Sequence, residues 1–302
     1  MSSILFYLGA FATGYLGLAL FLFMLSSRFP SAGFLGFLLA SYASLILSAS
    51  YGVVVSVLLR LVGQGRSSQW ATARFFKHVM RFTTGITFSI EDPHDYLNTT
   101  RPAVFIGPHQ SELDILMLGY IFPKGCSVTA KKSLKSMPFL GWFMSLSYTV
   151  FIDRANPTNA RHAMASAAEE ITREKQSVYM FPEGTRSYAK EPTLLPFKKG
   201  AFHLAVQAGV PIVPVVVANY SNVLFVPGWR FQAGNIAIKV LKPIETKDLQ
   251  PADVEDLTRD TRELMLQEIV ALTWKARGRP MAMPAPDSGG VGPAKGSDAT
   301  VS

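Results

Sequence analysis

Residues 1–59 contain one charged side chain, Arg28. On either side of it run two charge-free stretches, residues 5–24 and 29–59, rich in Leu, Phe, Ala and Gly. Roughly 20 apolar residues are enough to span a hydrocarbon core, and a helix is the form in which one segment satisfies its own backbone there. Ser26, Ser27, Arg28, Phe29 and Pro30 between the stretches read as a short turn. Residues 1–62 are therefore expected to form a membrane-anchoring helical hairpin. A cleaved signal peptide is disfavoured for the first stretch: it lacks a basic leader, its apolar core is too long, and a second apolar run follows at once. A hairpin that dips into one leaflet fits the same residues as well as a true double span does.

Arg60, Arg66, Arg74, Lys77 and Arg81 follow the second stretch before any acidic residue, whereas the turn has only Arg28. Positive flanks stay on the cytoplasmic side, which predicts that the remainder of the chain faces the cytosol. The sequons at Asn98 and Asn219 point weakly the other way. Residues 60–302 hold 28 basic and 21 acidic groups within the 29 and 21 of the whole chain, so that part carries a net +7. These positive groups are dispersed, which argues against nucleic acid and for anionic lipid headgroups as the partner. The lone cysteine, Cys126, excludes an intrachain disulfide and a Cys-rich zinc site.

From about Gln69 short apolar runs alternate with helical stretches. Strands are expected at 102–107, 127–130, 148–153, 177–181 and 210–218, and helices at 113–121, 158–173 and 199–208, with Gly209 as a C-terminal stop. Near-continuous apolar runs suit strands buried on both faces, so the expected class is α/β, a mostly parallel central sheet flanked by helices. Pro251 opens a last helix, with Asp253, Glu255 and Asp256 at its start and Lys275 and Arg277 at its end, which complements the helix dipole. Residues 63–278 form the expected catalytic domain, and 279–302, rich in Pro, Gly, Ala and Ser, an expected disordered tail.

Two motifs carry chemistry. Gly107-Pro108-His109-Gln110-Ser111-Glu112-Leu113-Asp114 follows the first of these strands, and strand C-terminal ends are where open α/β sheets bind ligands. Ser111 is the expected N-cap of the helix that follows. Asp114, in its first turn, is placed to reach back to the His109 imidazole and leave the other ring nitrogen as a base. Taken alone, Asp114 would read as an ordinary helix-start acid. Phe181-Pro182-Glu183-Gly184-Thr185-Arg186-Ser187 also follows a strand, with a glycine that permits close backbone approach and an arginine whose fork suits phosphate. Arg154 after a third strand and Lys131 and Lys132 after a fourth add cations suited to an anionic substrate.

In these blocks the chain resembles the glycerolipid acyltransferases. HQSELD fits the H-x-x-x-x-D motif, FIDR the second block, FPEGTRS the third and VPIVPV the fourth. The runs TAKKSL, PFLGWF and LPFKKGAFHLA look like the eukaryotic 1-acylglycerol-3-phosphate O-acyltransferases (lysophosphatidic acid acyltransferases) among them. Pro108 and Glu112 depart from the common pattern, which bears on loop shape and substrate preference.

The resemblance implies that His109 is the general base on a glycerol hydroxyl, held by Asp114. Lys131, Arg154 and Arg186 would hold the phosphate of lysophosphatidic acid, Glu183, Gly184 and Thr185 would shape that pocket, and Pro211 would lie beside the acyl chain. Acyl-CoA would be the co-substrate, with no cofactor and no metal, in a phospholipid membrane. For a eukaryotic source, that membrane would be the endoplasmic reticulum. Transfer to glycerol 3-phosphate or another lysophospholipid, lipid hydrolysis, and lipid binding without catalysis are the alternatives. His78, His94, His162 and His203 lack a second ligand at metal spacing and read as surface or packing residues. Lys198 and Lys199 read as a solvated helix start or an extension of the phosphate site. Trp142 and Phe143 read as core or lipid-interface residues.

Overall fold

The computed structural model describes residues 2–153 and 157–278. Arg154 and the expected tail at 279–302 lie outside the described residues. In chain order the elements are α1 (Ser2–Leu25), α2 (Pro30–Leu61), α3 (Ser68–Thr84), β1 (Ile86–Glu91), α4 (Tyr96–Thr99), β2 (Val104–Ile106), α5 (Asp114–Ile121), β3 (Cys126–Lys131), α6 (Leu140–Leu146), β4 (Val150–Ile152), α7 (Pro157–Glu174), β5 (Ser177–Met180), α8 (Gly200–Ala208), β6 (Ile212–Val217), β7 (Leu224–Phe225), β8 (Arg230–Phe231), β9 (Gly234–Val240) and α9 (Val254–Ala276).

Seven strands form one sheet in the order β1-β9-β6-β2-β5-β3-β4, and only the β6–β9 pairing is antiparallel. The expected mostly parallel α/β architecture is therefore the observed one. Its central strands are apolar throughout because both faces are covered. Phe105 of β2 and Val213, Val215 and Val217 of β6 enter the core under α3 and α5. Val104, Ile106, Ile212 and Val216 enter a second core with Ala168, Ile171, Phe202, Leu204 and Met265 of the opposite helices. Alternation of side chains across a strand divides one apolar run between two cores. Gly209, at φ 61°, ends α8 in the left-handed region, as the sequence predicts.

Four strands, β1, β7, β8 and β9, and three helices, α3, α4 and α6, were not among the sequence expectations. In β9 Ile236, Ile238 and Val240 are buried while the residues between them are not, and β1 at the sheet edge is buried mainly at Ile86 and Phe88. These strands alternate, so a search for continuous apolar runs passes over them. The amphipathic α3 buries Thr72, Phe76 and Met80. Its Arg74 donates to the carbonyls of Gly119 and Tyr120 at 2.6 Å each and so closes the C-terminal end of α5.

α1 and α2 form the two expected apolar helices. Gly33 and Gly36 of α2 let Ser26 and Leu22 approach closely, and the Tyr15 hydroxyl donates to Leu39 O at 2.6 Å. Beyond that contact α1 is exposed along most of its length, with Phe6, Phe11, Leu16 and Leu20 each more than half exposed. α2 behaves differently. Phe34, Ser44 and Gly52 on its buried face lie on the α/β domain. Phe34 and Phe37 pack on Trp229 and Phe231 of the β7–β8 hairpin, and Gly52 receives the Phe143 ring of α6. Phe143 is thus a packing residue, whereas Trp142 is 54% exposed.

Candidate active site

β2, β5, β3 and β6 run parallel, so the loops after them gather at one edge of the sheet. Pro108 cannot extend the β2 ladder, and the chain turns there to present His109. His109 Nδ1 lies 2.9 Å from Asp114 Oδ2. A buried carboxylate needs hydrogen-bond donors on its lone pairs, and Asp114, fully buried, finds them. Oδ2 also accepts from Gln110 N at 2.7 Å and Ser111 N at 3.1 Å, and Oδ1 accepts from the Tyr220 hydroxyl at 2.7 Å. A carboxylate only accepts, so it holds the proton on Nδ1 and leaves the Nε2 lone pair available. Among the described residues Nε2 has no hydrogen-bond partner. The imidazole stacks on Phe181 with centroids 4.3 Å apart, which fixes the ring plane.

Ser111 is not the N-cap that the sequence suggests. Helix α5 begins at Asp114 behind Leu113, and Ser111 Oγ instead accepts from Leu113 N and meets the Tyr220 hydroxyl at 3.0 Å. Asp114 serves both readings at once, as the first acid of α5 and as the partner of His109.

The Glu183 loop is bound to the His109 loop. Glu183 is buried, and its Oε1 accepts from His109 N at 2.6 Å while Oε2 accepts from Leu195 N at 2.8 Å. Burial pushes its carboxyl up to about 6 against the opposing pull of those two N–H groups. Ser187 N donates to His109 O and Tyr188 N to Gln110 O, closing the two loops over each other. Gly184 sits at φ 70°, and a Cβ there would lie 2.9 Å from Lys198 Cε. Lys198 therefore crosses this loop and is more than a solvated helix start. Thr185 is exposed.

Arg186 points its Nη1 to Glu112 Oε1 at 3.1 Å, and the Tyr188 hydroxyl donates to the same oxygen at 2.6 Å. Its Nε is buried with no partner among the described residues. Burial lowers the guanidinium pKa, but the Tyr188 hydrogen bond and the Glu112 charge together raise it further, so the arginine keeps its charge. Lys131, exposed, ends β3 at this same edge. Pro211 does not belong to this group. The pairing of Val104 with Ile212 sets Pro211 level with Ala103, at the opposite end of the sheet and about 13 Å along the strand from Gly107. The parallel register of β6 and β2 separates it from the His109 edge. His78, His94 and His203 are exposed, in keeping with their reading as surface residues.

Tyr220 and Tyr188 were not expected at the site, and Phe181, first residue of the second motif, had no expected role. Tyr220 follows β6 as Glu183 follows β5, but its approach to Asp114 depends on β6 lying beside β2, a pairing that no local pattern encodes.

The acyltransferase family profile matches residues 89–218, which hold the His109 and Glu183 loops. The chain is 45% identical over 219 residues to a 1-acyl-sn-glycerol-3-phosphate acyltransferase of Saccharomyces cerevisiae, a match covering 72% of each chain. It belongs to that acyltransferase family. The human beta form is 36% identical over 219 residues, covering 72% of this chain and 77% of the relative. Among solved structures, the 1-acyl-sn-glycerophosphate (LPA) acyltransferase PlsC of Thermotoga maritima superposes with a TM-score of 0.58 at 20% identity, over 85% of this chain and 97% of that one. That likeness shows a shared fold.

Proposed function

We propose that this acyltransferase moves a fatty acyl group from acyl-CoA to the sn-2 hydroxyl of 1-acyl-sn-glycerol 3-phosphate, forming phosphatidic acid for phospholipid synthesis. The observation that carries the reading is the His109–Asp114 pair, 2.9 Å apart at the sheet edge that also holds Arg186. His109 Nε2 takes the hydroxyl proton as the oxygen attacks the thioester carbonyl. The C–S bond then breaks, and the departing CoA sulfur recovers that proton from the imidazolium. Asp114 stabilises the transient cation, and Tyr220 holds Asp114 in place. Arg186, Lys131 and Arg154 receive the acceptor phosphate, which competes with Glu112 for the Arg186 fork. Glu183 braces the His109 loop, and Gly184 and Thr185 shape its outer wall.

α1 and the outer face of α2 hold the enzyme on the membrane, with the catalytic domain on the cytosolic side; in a eukaryote the membrane is the endoplasmic reticulum. The lipidic acceptor and product favour such an anchor.

Replacing His109 by Ala should lower turnover about 10²–10⁴-fold, the usual worth of a general base, with vesicle binding retained. Normal turnover in that variant overturns the mechanism. A panel of lysophosphatidate, glycerol 3-phosphate and lysophosphatidylcholine with one acyl-CoA tests the acceptor. Arg186→Ala should raise KM for the phosphate-bearing acceptor more than KM for acyl-CoA. Release of free fatty acid without any acceptor would point to hydrolysis instead.

A further inference from the structure

The segment between β3 and β4 exposes large apolar side chains beside lysines. Residues 131–147 include Lys131, Lys132 and Lys135 and no acidic residue. Within it Met137, Phe139 and Trp142 are 45%, 44% and 54% exposed. The backbone holds these side chains outward. Phe139 adopts φ 59° and ψ −59°, and Leu140 N donates to Pro138 O at 2.6 Å. That is a three-residue γ-turn of the hand an L side chain rarely tolerates, a strain that persists only where the surroundings enforce it. It brings the Phe139 ring to 5.2 Å from the Trp142 ring, and both stay exposed.

Behind this tip the segment is fastened. Gly141 is buried against the Leu134 and Lys135 carbonyls, Phe143 packs on Gly52 of α2, and Arg60 Nε donates to Leu146 O at 2.9 Å. Lys132 keeps a mostly exposed ammonium 3.0 Å from Asp153, Lys135 lies over the Phe151 ring, and Lys131 is exposed at the end of β3.

We propose that residues 131–142 are a second lipid-contacting element, separate from the N-terminal helices. Phe139 and Trp142 enter the boundary between headgroups and acyl chains, while Lys132 and Lys135 meet anionic headgroups. Two observations commit the surface to a lipid bilayer. Aromatic rings flanked by lysines, with no acidic residue in the segment, match the interface both in polarity and in charge. The element is also continuous with α2, whose outer residues Val54, Leu58 and Leu61 are each more than half exposed. Because β3 and β2 end at the same edge, this contact draws the His109 edge to the membrane surface. A lipid acceptor can then present its headgroup while its acyl chain stays in the bilayer. That consequence rests on the proposed acyl transfer; the contact itself does not.

The full-length protein carrying Phe139→Cys, and separately Met137→Cys, is labelled with an environment-sensitive fluorophore; the native Cys126 is buried. A label at Asp248→Cys, on the far edge of the domain, is the control. In phosphatidylcholine vesicles containing phosphatidylglycerol, emission at 137 and 139 should shift to the blue. Quenching by iodide there should be several-fold weaker than at 248, and Lys132→Gln with Lys135→Gln should restore part of it. Equal quenching at all three positions overturns the proposal. In activity assays, Phe139→Ser with Trp142→Ser should slow transfer to long-chain lysophosphatidate in vesicles several-fold and leave a short-chain, water-soluble acceptor unaffected. Equal losses on both acceptors would overturn the surface role. A wild-type preparation with no acyl transfer would refute the function above and leave the quenching result to decide the contact.

Discussion

Glu183 ties two loops together through its buried side chain. Its motif suggests a pocket-shaping acid, and its carboxylate is the buried clasp between two loops, accepting His109 N and Leu195 N. Burial lifts its pKa from 4.5 to about 6. A carboxyl raised in the fold contributes stability that is fully present below the unfolded value and is lost as pH rises through the folded one. The shift corresponds to about 2 kcal/mol, falling away between about pH 4.5 and 6. The wild-type thermal midpoint should therefore drop across that window relative to Glu183→Gln, which cannot titrate. Parallel midpoint curves from scanning calorimetry of the two proteins would show that Glu183 does not ionise there.

At the scale of elements, α2 joins an apolar hairpin to an α/β domain, and small residues make the joint. A Cβ at Gly52 would lie 2.6 Å from Phe143 Cδ2 and 2.9 Å from Thr72 Cγ2, so α2, α3 and α6 meet there without room for a side chain. Gly52→Leu should cost about 1–3 kcal/mol by overpacking and lower the thermal midpoint in detergent. Gly17→Leu in α1, where nothing lies within 4 Å, should leave it unchanged. Equal effects at the two sites would mean that α2 does not rest on the domain. The basic residues after α2 belong to the same joint. Arg66 pairs with Glu174 at 2.6 Å, and Arg74 caps α5, so charges read as a topological flank also fasten helices to the domain.

For the whole molecule, the length of that joint constrains the proposed attachment to a bilayer. The contacts of α2 with the domain run from Phe34, on Trp229, to Arg60, on Leu146 O, about 39 Å of helix, while a hydrocarbon core is about 30 Å thick. A helix packed along that distance on an α/β domain has no free stretch with which to cross. The hairpin is expected to lie in one leaflet, with Arg28 and the catalytic domain on the same side. Cysteines at Ser27 and Asp248 should both react with an impermeant maleimide added outside sealed vesicles. Labelling of Ser27 only after permeabilisation would mean that α1 and α2 cross as a pair.

Much of this was legible locally. Apolar runs that serve two cores, a proline that stops β2, a glycine that ends α8, and a histidine followed five residues later by an aspartate all act through neighbouring residues, and one chain displays them. β1 and β9 were less visible, because their alternating burial resembles an ordinary polar segment. Strand order was decided only in three dimensions. The pairing of β6 with β2 brought Tyr220 to Asp114 and carried Pro211 to the far end of the sheet, and the docking of α2 turned a free apolar helix into one with a protein face. Local sterics and hydrophobic period travel with the sequence, whereas contacts between distant segments arise only when the cores they share are packed.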